Sequence, residues 1–248
     1  MTRPLGMMIA ATLGLLIATA TGRADDTCAL KVIEKLGGSV TRDVERPGNP
    51  VVAVLLMGPE VTDAALPALK EFPSLRSLNL GATRVTDAGL KELKHLPLLR
   101  TLNLAETSIT DAGLKELKAL AQLQELKLWY TRITDAGLRD LKSLPSLQSL
   151  GLTATLITDA GLKELNELKN LKTLNLSSTR VSDAGLREVK HFPSLRSLDL
   201  SSTRVTDAGL KELKELKHLH ILNLNDTQVT KKGLAELHKA LPRLLITP

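Results

Sequence analysis

Residues Leu75 to Pro97 read LRSLNLGATRVTDAGLKELKHLP, and the chain then repeats this stretch at a fixed interval. Written as LxxLxLxxTxVTDAGLKELxxL, the unit begins again at Leu99, Leu123, Leu147, Leu171, Leu195 and Leu219, each 24 residues after the last. A degenerate first copy begins at Val51. Counting from the first Leu, positions 1, 4, 6, 11, 16, 19 and 22 are apolar, as in Leu75, Leu78, Leu80, Val85, Leu90, Leu93 and Leu96. The pair at positions 4 and 6 has the period of two of a strand, while positions 16 and 19 have helical spacing. One unit cannot enclose its own apolar set, but stacked neighbours can, so the pattern predicts a solenoid with one continuous core. A buried Leu contributes about 1.5–3 kcal/mol before entropy is subtracted. Repeated Leu layers fill such an interior without large rings, which accounts for an aromatic content of 2%.

The polar positions of the unit have structural readings of their own. Position 9 is Thr in seven copies, from Thr83 to Thr227. It stands in a column that turns inward after the strand, so its hydroxyl is expected to bond to loop backbone of its own or the adjacent repeat. Thr-Asp at positions 12 and 13 supplies an N-cap and a negative charge at the start of the short helix. Glycine recurs at position 15, from Gly89 to Gly233. Its cost in a helix points to a close approach or an unusual dihedral there.

The repeated LxxLxLxxTxVTDAGLKEL resembles the leucine-rich repeat family over residues 51–242, and in particular the ITDxGL-type repeats of exported bacterial proteins and of eukaryotic F-box proteins. The resemblance implies an α/β fold: a right-handed horseshoe solenoid with a parallel β-sheet on the concave face and short helices on the convex face. It also implies protein recognition as the main use. The chain has Thr at position 9, where the family usually has Asn or Cys. It has no F-box, so a ubiquitin-ligase adaptor role does not carry over.

Outside the repeats, residues 1–24 carry Arg3, then an uncharged apolar run from Pro4 to Gly22 and small residues, and read as an export signal peptide. Cleavage after Ala20 and cleavage after Ala24 both fit. Retention as a membrane anchor is the rival reading. Localisation is then periplasmic, cell-surface or secreted. Residues 25–50 read as an N-terminal cap. A helix over Thr27 to Leu36 buries Ala29, Leu30, Ile33 and Leu36 and stops at Gly37-Gly38, and a strand over Ser39 to Val44 returns through a Pro47–Pro50 turn to pair antiparallel with Val51 to Leu56. Such a cap covers the open end of the core and the first strand's unpaired backbone. Eight 24-residue repeats follow over 51–242, with a short C-terminal edge at 243–248.

Charge and chemistry narrow the function. Without Arg3 and Arg23, 31 Lys and Arg face 27 Asp and Glu, a surplus of about +4 that does not make a nucleic-acid-binding face. One cysteine allows no internal disulfide, and Cys28 is expected to be buried. His95, His191, His218, His220 and His238 have no carboxylate or thiol partners at metal-ligand spacing, no serine lies in a GxSxG elbow, and no catalytic or cofactor-binding constellation emerges. The alternating Lys and Glu of the helices read as a solvated convex face.

If positions 4 and 6 point inward, positions 2, 3, 5, 7 and 8 face solvent on the concave side. Trp129 and Tyr130 stand together there, where other repeats carry small residues, and Gly81, Ala105 and Thr153 are expected to leave open space around the only Trp. The candidate partner-binding residues are Trp129 and Tyr130 with Lys127, Glu106, Arg132, Thr153 and Asn103. The expected function is a non-enzymatic scaffold, monomeric, that binds a partner protein through this face. A glycan or envelope-surface ligand is the alternative, and nucleic acid is not expected.

Overall fold

The computed structural model describes residues 24–247, so the export segment expected at 1–24 lies, apart from Ala24, outside the described residues. The helix spans Ala24–Lys35 and seats Ala29 and Ile33 in the core, with Leu30 and Leu36 partly buried against it. It ends at Gly37, where φ is +70°. Gly38 N–H donates to Ile33 O and Gly37 N–H to Glu34 O, both at 2.9 Å, which satisfies two terminal carbonyls. A Cβ on Gly38 would stand 2.7 Å from Leu55 O, so only glycine fits between helix and sheet.

Cys28 is exposed, which corrects the expectation of burial. Ala29 and Ile33, four residues apart, set the inward face of the helix, and Cys28 falls beside that stripe in a shallow groove with Val32, Pro67 and Ala68. The strand after the helix is shorter than expected, Ser39–Arg42, because its register slips between Thr41 and Arg42. Val44 consequently stands 75% exposed beyond the pairing. This strand pairs antiparallel with Val51–Leu55.

From Val51–Leu55 onward all the strands of the main sheet run parallel, in chain order, ten in all with the antiparallel strand first. Each rung joins residues 24 apart, as in Leu78↔Leu102, Leu102↔Leu126 and Leu126↔Leu150. This register stacks every inward position on its equivalent. Leu75, Leu78, Leu80, Val85, Leu90, Leu93 and Leu96 are all fully buried, and their counterparts form a single apolar cluster along the molecule. The chain is a right-handed solenoid with the sheet lining its concave side and short helical segments its convex side. Those segments are mixtures of one α-turn and 3-10 helix, such as Asp111–Leu114 followed by Lys115–Ala119. A 3-10 turn advances farther per residue than an α-turn, which suits a return path of so few residues.

The strands have only three regular residues, yet the ladder continues past them. Leu128 N–H donates to Gly151 O at 2.9 Å and Tyr130 N–H to Thr153 O at 3.0 Å, and the same two bonds recur along the array. Position 8 is left-handed in seven copies, with φ between 53° and 57° at Ala82, Glu106, Tyr130, Ala154, Ser178, Ser202 and Asp226, and the first six keep this bond. The left-handed residue turns the chain so that position 9 points inward. Here the threonine hydroxyl meets a need of its own repeat: Thr131 Oγ1 donates to Leu128 O at 2.6 Å, and the other six do the same. The hydroxyl thereby satisfies a carbonyl in the buried turn, which at Leu152, Leu176 and Leu224 also accepts a longer bond from the threonine N–H at 3.3 Å.

Thr-Asp at positions 12 and 13 acts as a cap and also as an inter-repeat tie. Thr110 Oγ1 accepts from Ala112 N–H at the helix start. It also donates to Asp87 Oδ2 of the preceding repeat at 2.6 Å, while Asp87 Oδ1 accepts from Thr110 N–H at 2.8 Å. Seven such ties run from Asp63–Thr86 to Asp207–Thr230. The recurrent glycine makes room for them: a Cβ on Gly113 would overlap Asp87 Oδ1, and the same holds at Gly89, Gly137, Gly161, Gly185, Gly209 and Gly233. Of the two expectations for this position, close approach is correct, and none of these glycines has positive φ.

Candidate functional site

The concave floor is less free than alternation alone predicts. At position 5, Asn79 Oδ1 accepts from Gly81 N–H at 2.9 Å and from Asn103 Nδ2 at 3.0 Å, and Asn103 Oδ1 accepts from Ala105 N–H at 3.0 Å. The ladder resumes at Asn175, whose Oδ1 accepts from Ser177 N–H and Thr153 Oγ1, both at 2.9 Å. These amides satisfy the backbone of position 7 where the strand ends. Asn103 and Thr153, two of the candidate site residues, are therefore held in the floor of the sheet.

Between the two ladders, position 5 is Lys127 and then Gly151, and this gap is where Trp129 sits. Its indole N–H edge rests against Gly151, where a Cβ would overlap Nε1. The space expected at Gly81 is instead taken by the Asn103 and Asn79 amides, and the indole lies over Gly151. Nε1 is buried and has no hydrogen-bond partner, a cost of about 1–3 kcal/mol that the packing of the ring must offset. Lys127 Nζ lies 5.5 Å from the ring centroid, in cation–π range, and 3.0 Å from Glu125 Oε1. The ion pair is about one-third exposed at each partner and contributes little by itself, but it fixes the ammonium beside the ring.

Tyr130 is 62% exposed and stands next to the seated indole. Its backbone is fixed by its donation to Thr153 O, and its φ of +54° is one that a bulky residue adopts at a cost of about 1–2 kcal/mol. Glu106, exposed and at the equivalent place in the preceding repeat, donates its N–H to Trp129 O at 2.8 Å. The structure therefore brings Glu106, Lys127, Trp129, Tyr130 and Thr153 together on one patch. Arg132 lies beyond the inward turn at Thr131 and is exposed there. Gly151 and Glu125 were missed as members of the patch. The signal for Gly151 was a large residue and a missing side chain departing from the pattern in adjacent repeats.

Among the described residues, no group of three or more His, Cys, Asp or Glu is placed to hold a metal ion, and no helix is long and apolar enough to cross a membrane.

A family model described as leucine rich repeat matches residues 145–205, and a second of the same description matches residues 73–94, 95–118 and 215–237. No curated protein matches the chain. Among the solved structures that share the fold are two internalins of Listeria monocytogenes. The first, inlF, is 22% identical with a TM-score of 0.56, covering 73% of this chain and 56% of its own; the second, inlC2, is 24% identical with a TM-score of 0.62, covering 88% and 92%. The chain thus spans just over half the length of the first of these.

Proposed function

We propose, for a chain that belongs to the leucine-rich repeat family, a non-enzymatic role as a scaffold that recognises a partner protein through its concave face. The observation that carries this reading is Tyr130, a large aromatic held 62% exposed in a strained left-handed conformation beside a rigidly seated Trp129. Elsewhere in its column stand Ala82, Glu106, Ala154, Ser178, Ser202 and Asp226, so no demand of the fold calls for an aromatic ring there. Rigid aromatics with a neighbouring cation are the residues that dominate protein interfaces. Tyr130 and the exposed face of Trp129 form the anchor, Lys127, Glu106 and Arg132 its charged surround, and Asn103 and Thr153 its fixed floor.

In this account residues 1–24 direct export and are removed, residues 25–50 cap the first repeat, and the mature protein is a monomer of the periplasm, cell surface or surroundings. The test is capture of envelope and surface proteins by the wild type and by Trp129→Ala and Tyr130→Ala, with melting temperatures measured in parallel. Loss of discrete bound proteins from both variants supports the reading. Unchanged capture despite lowered stability defeats it, and binding confined to a glycan panel would replace the protein partner by a carbohydrate.

A further inference from the structure

A second feature of the sheet lies outside the aromatic patch. At position 2, just before each strand, three successive repeats carry Lys172, Arg196 and His220, where the two preceding repeats carry Gln124 and Gln148. With His218, Pro193 and Ser194 these side chains line a groove of about 400 Å³. No carboxylate lines it. All four basic side chains are exposed, and among the described residues none of them makes an ion pair. Lys172 Nζ donates to Gln148 Oε1 at 2.9 Å, which steadies it and leaves two ammonium donors free. The His220 ring is pinned by donation from Nδ1 to His218 O.

The strand-edge amides beside this groove are already engaged. Arg196 and Ser197 N–H both donate to Lys172 O, and His220 and Ile221 N–H both donate to Arg196 O, at 2.8–3.0 Å. A compact phosphate is usually cradled by several converging backbone N–H groups at a turn or helix start. The four strand-edge amides here are engaged, and the turn amides of Ser194 and His218, which have no backbone partner among the described residues, come from two separate repeats. The positive charge of the groove comes from side chains on successive strands, about 4.8 Å apart at their bases. Long Lys and Arg stems reach a range of positions, so they suit negative charge distributed along a chain. An extended peptide presents like-facing side chains about 6.6–6.8 Å apart, within reach of this row.

We propose that the Lys172–Arg196–His218–His220 groove docks an extended acidic segment of the partner, whose Glu or Asp carboxylates pair with Lys172 and Arg196. The inference rests on the reading of the protein as a recognition scaffold and adds a second contact to it, two repeats from Trp129 at its near end and four at its far end. The experiment is fluorescence anisotropy with a labelled oligoglutamate peptide on the mature protein. The double variant Lys172→Glu/Arg196→Glu is compared with Arg84→Glu/Arg180→Glu, which changes net charge equally at the other end of the strands. The expected result is peptide binding that weakens about tenfold in the groove variant and less than about twofold in the control, and that falls with added salt. Should the charge reversals unfold the protein, Lys172→Gln/Arg196→Gln carries the same expectation with a smaller loss. Equal losses in both double variants, or preferential displacement of the peptide by inorganic phosphate or a sulfated glycan, overturn the proposal. Absence of peptide binding alongside intact, Trp129-dependent partner capture overturns the groove and leaves the scaffold reading in place.

Discussion

The carboxylate of Asp111 occupies the volume that a Cβ on Gly137 would fill, and from there it grips Thr134 of the next repeat through both oxygens, at 2.8 and 2.6 Å. Helix propensity alone favours alanine over glycine by about 1 kcal/mol. The packing reverses that sign. Gly137→Ala is expected to destabilise by about 1–3 kcal/mol in chemical denaturation, because the carboxylate must leave its place or the repeats must part. In an Asp111→Ala background the same substitution should cost much less, since the two residues share one volume. A stabilising Gly137→Ala would contradict the tie.

Asp207 makes the corresponding bonds to Thr230, and donation from the Thr230 hydroxyl and then its N–H holds the carboxyl below its ordinary value of 3.8, with a smaller attraction from Lys232 opposing the effect of desolvation. A group whose folded pKa is depressed binds fewer protons in the folded state. Its contribution is therefore complete above pH 3.8 and is lost as pH falls through the lower folded value. Melting temperatures of the wild type and Asp207→Asn should differ by a constant amount at neutral and mildly acidic pH and converge below about pH 4. A gap that stays fixed or widens in acid would show that the carboxylate charge does not matter to this tie.

Gly151 supports Trp129 by lacking a side chain. Gly151→Ala should lift the indole from the floor, and because Trp129 is the only Trp in the chain its emission reports the change directly. A red shift and easier quenching by acrylamide are expected, with a stability loss of about 1 kcal/mol or less, since a buried unsatisfied N–H is released as packing is lost. Unaltered emission would place the indole elsewhere.

Tyr130 separates stability from recognition. Glycine adopts φ of +54° without the strain that tyrosine bears, so Tyr130→Gly should leave the melting temperature unchanged or raise it by an amount equivalent to about 1 kcal/mol. The same variant should lose partner capture. If it melts markedly lower, the ring is a structural prop whose packing outweighs the strain at its backbone.

Burial leaves a periodic trace, which is why the inward columns from Leu75 to Leu96 and their stacking could be read from the letters, while the hand of the solenoid came from the family resemblance. The exchange between Asp111 and Gly137 could not, because both columns were visible but nothing in one dimension says that position 13 of one repeat faces position 15 of the next. The same limit hid Gly151 beneath Trp129. It also hid the basic groove, since a surplus of about +4 spread along the chain gives no hint that Lys172, Arg196, His218 and His220 converge. Cys28 was misplaced for a different reason: general frequency pointed to burial, while the helix register set by Ala29 and Ile33 turned it outward. The position 5 amides looked like binding chemistry and proved to be occupied with the backbone, as Asn103 is with Asn79 and Ala105.

The most direct measurement is site-specific photo-crosslinking in the presence of envelope and surface proteins, with the photoreactive residue placed at Tyr130 on the concave face or at the exposed Lys118 on the convex face. Adducts to the same discrete protein from position 130, absent from position 118 and abolished by Lys127→Glu in a normally folded chain, are the predicted result. Equal labelling from both faces, or none from position 130, would contradict recognition through the concave surface.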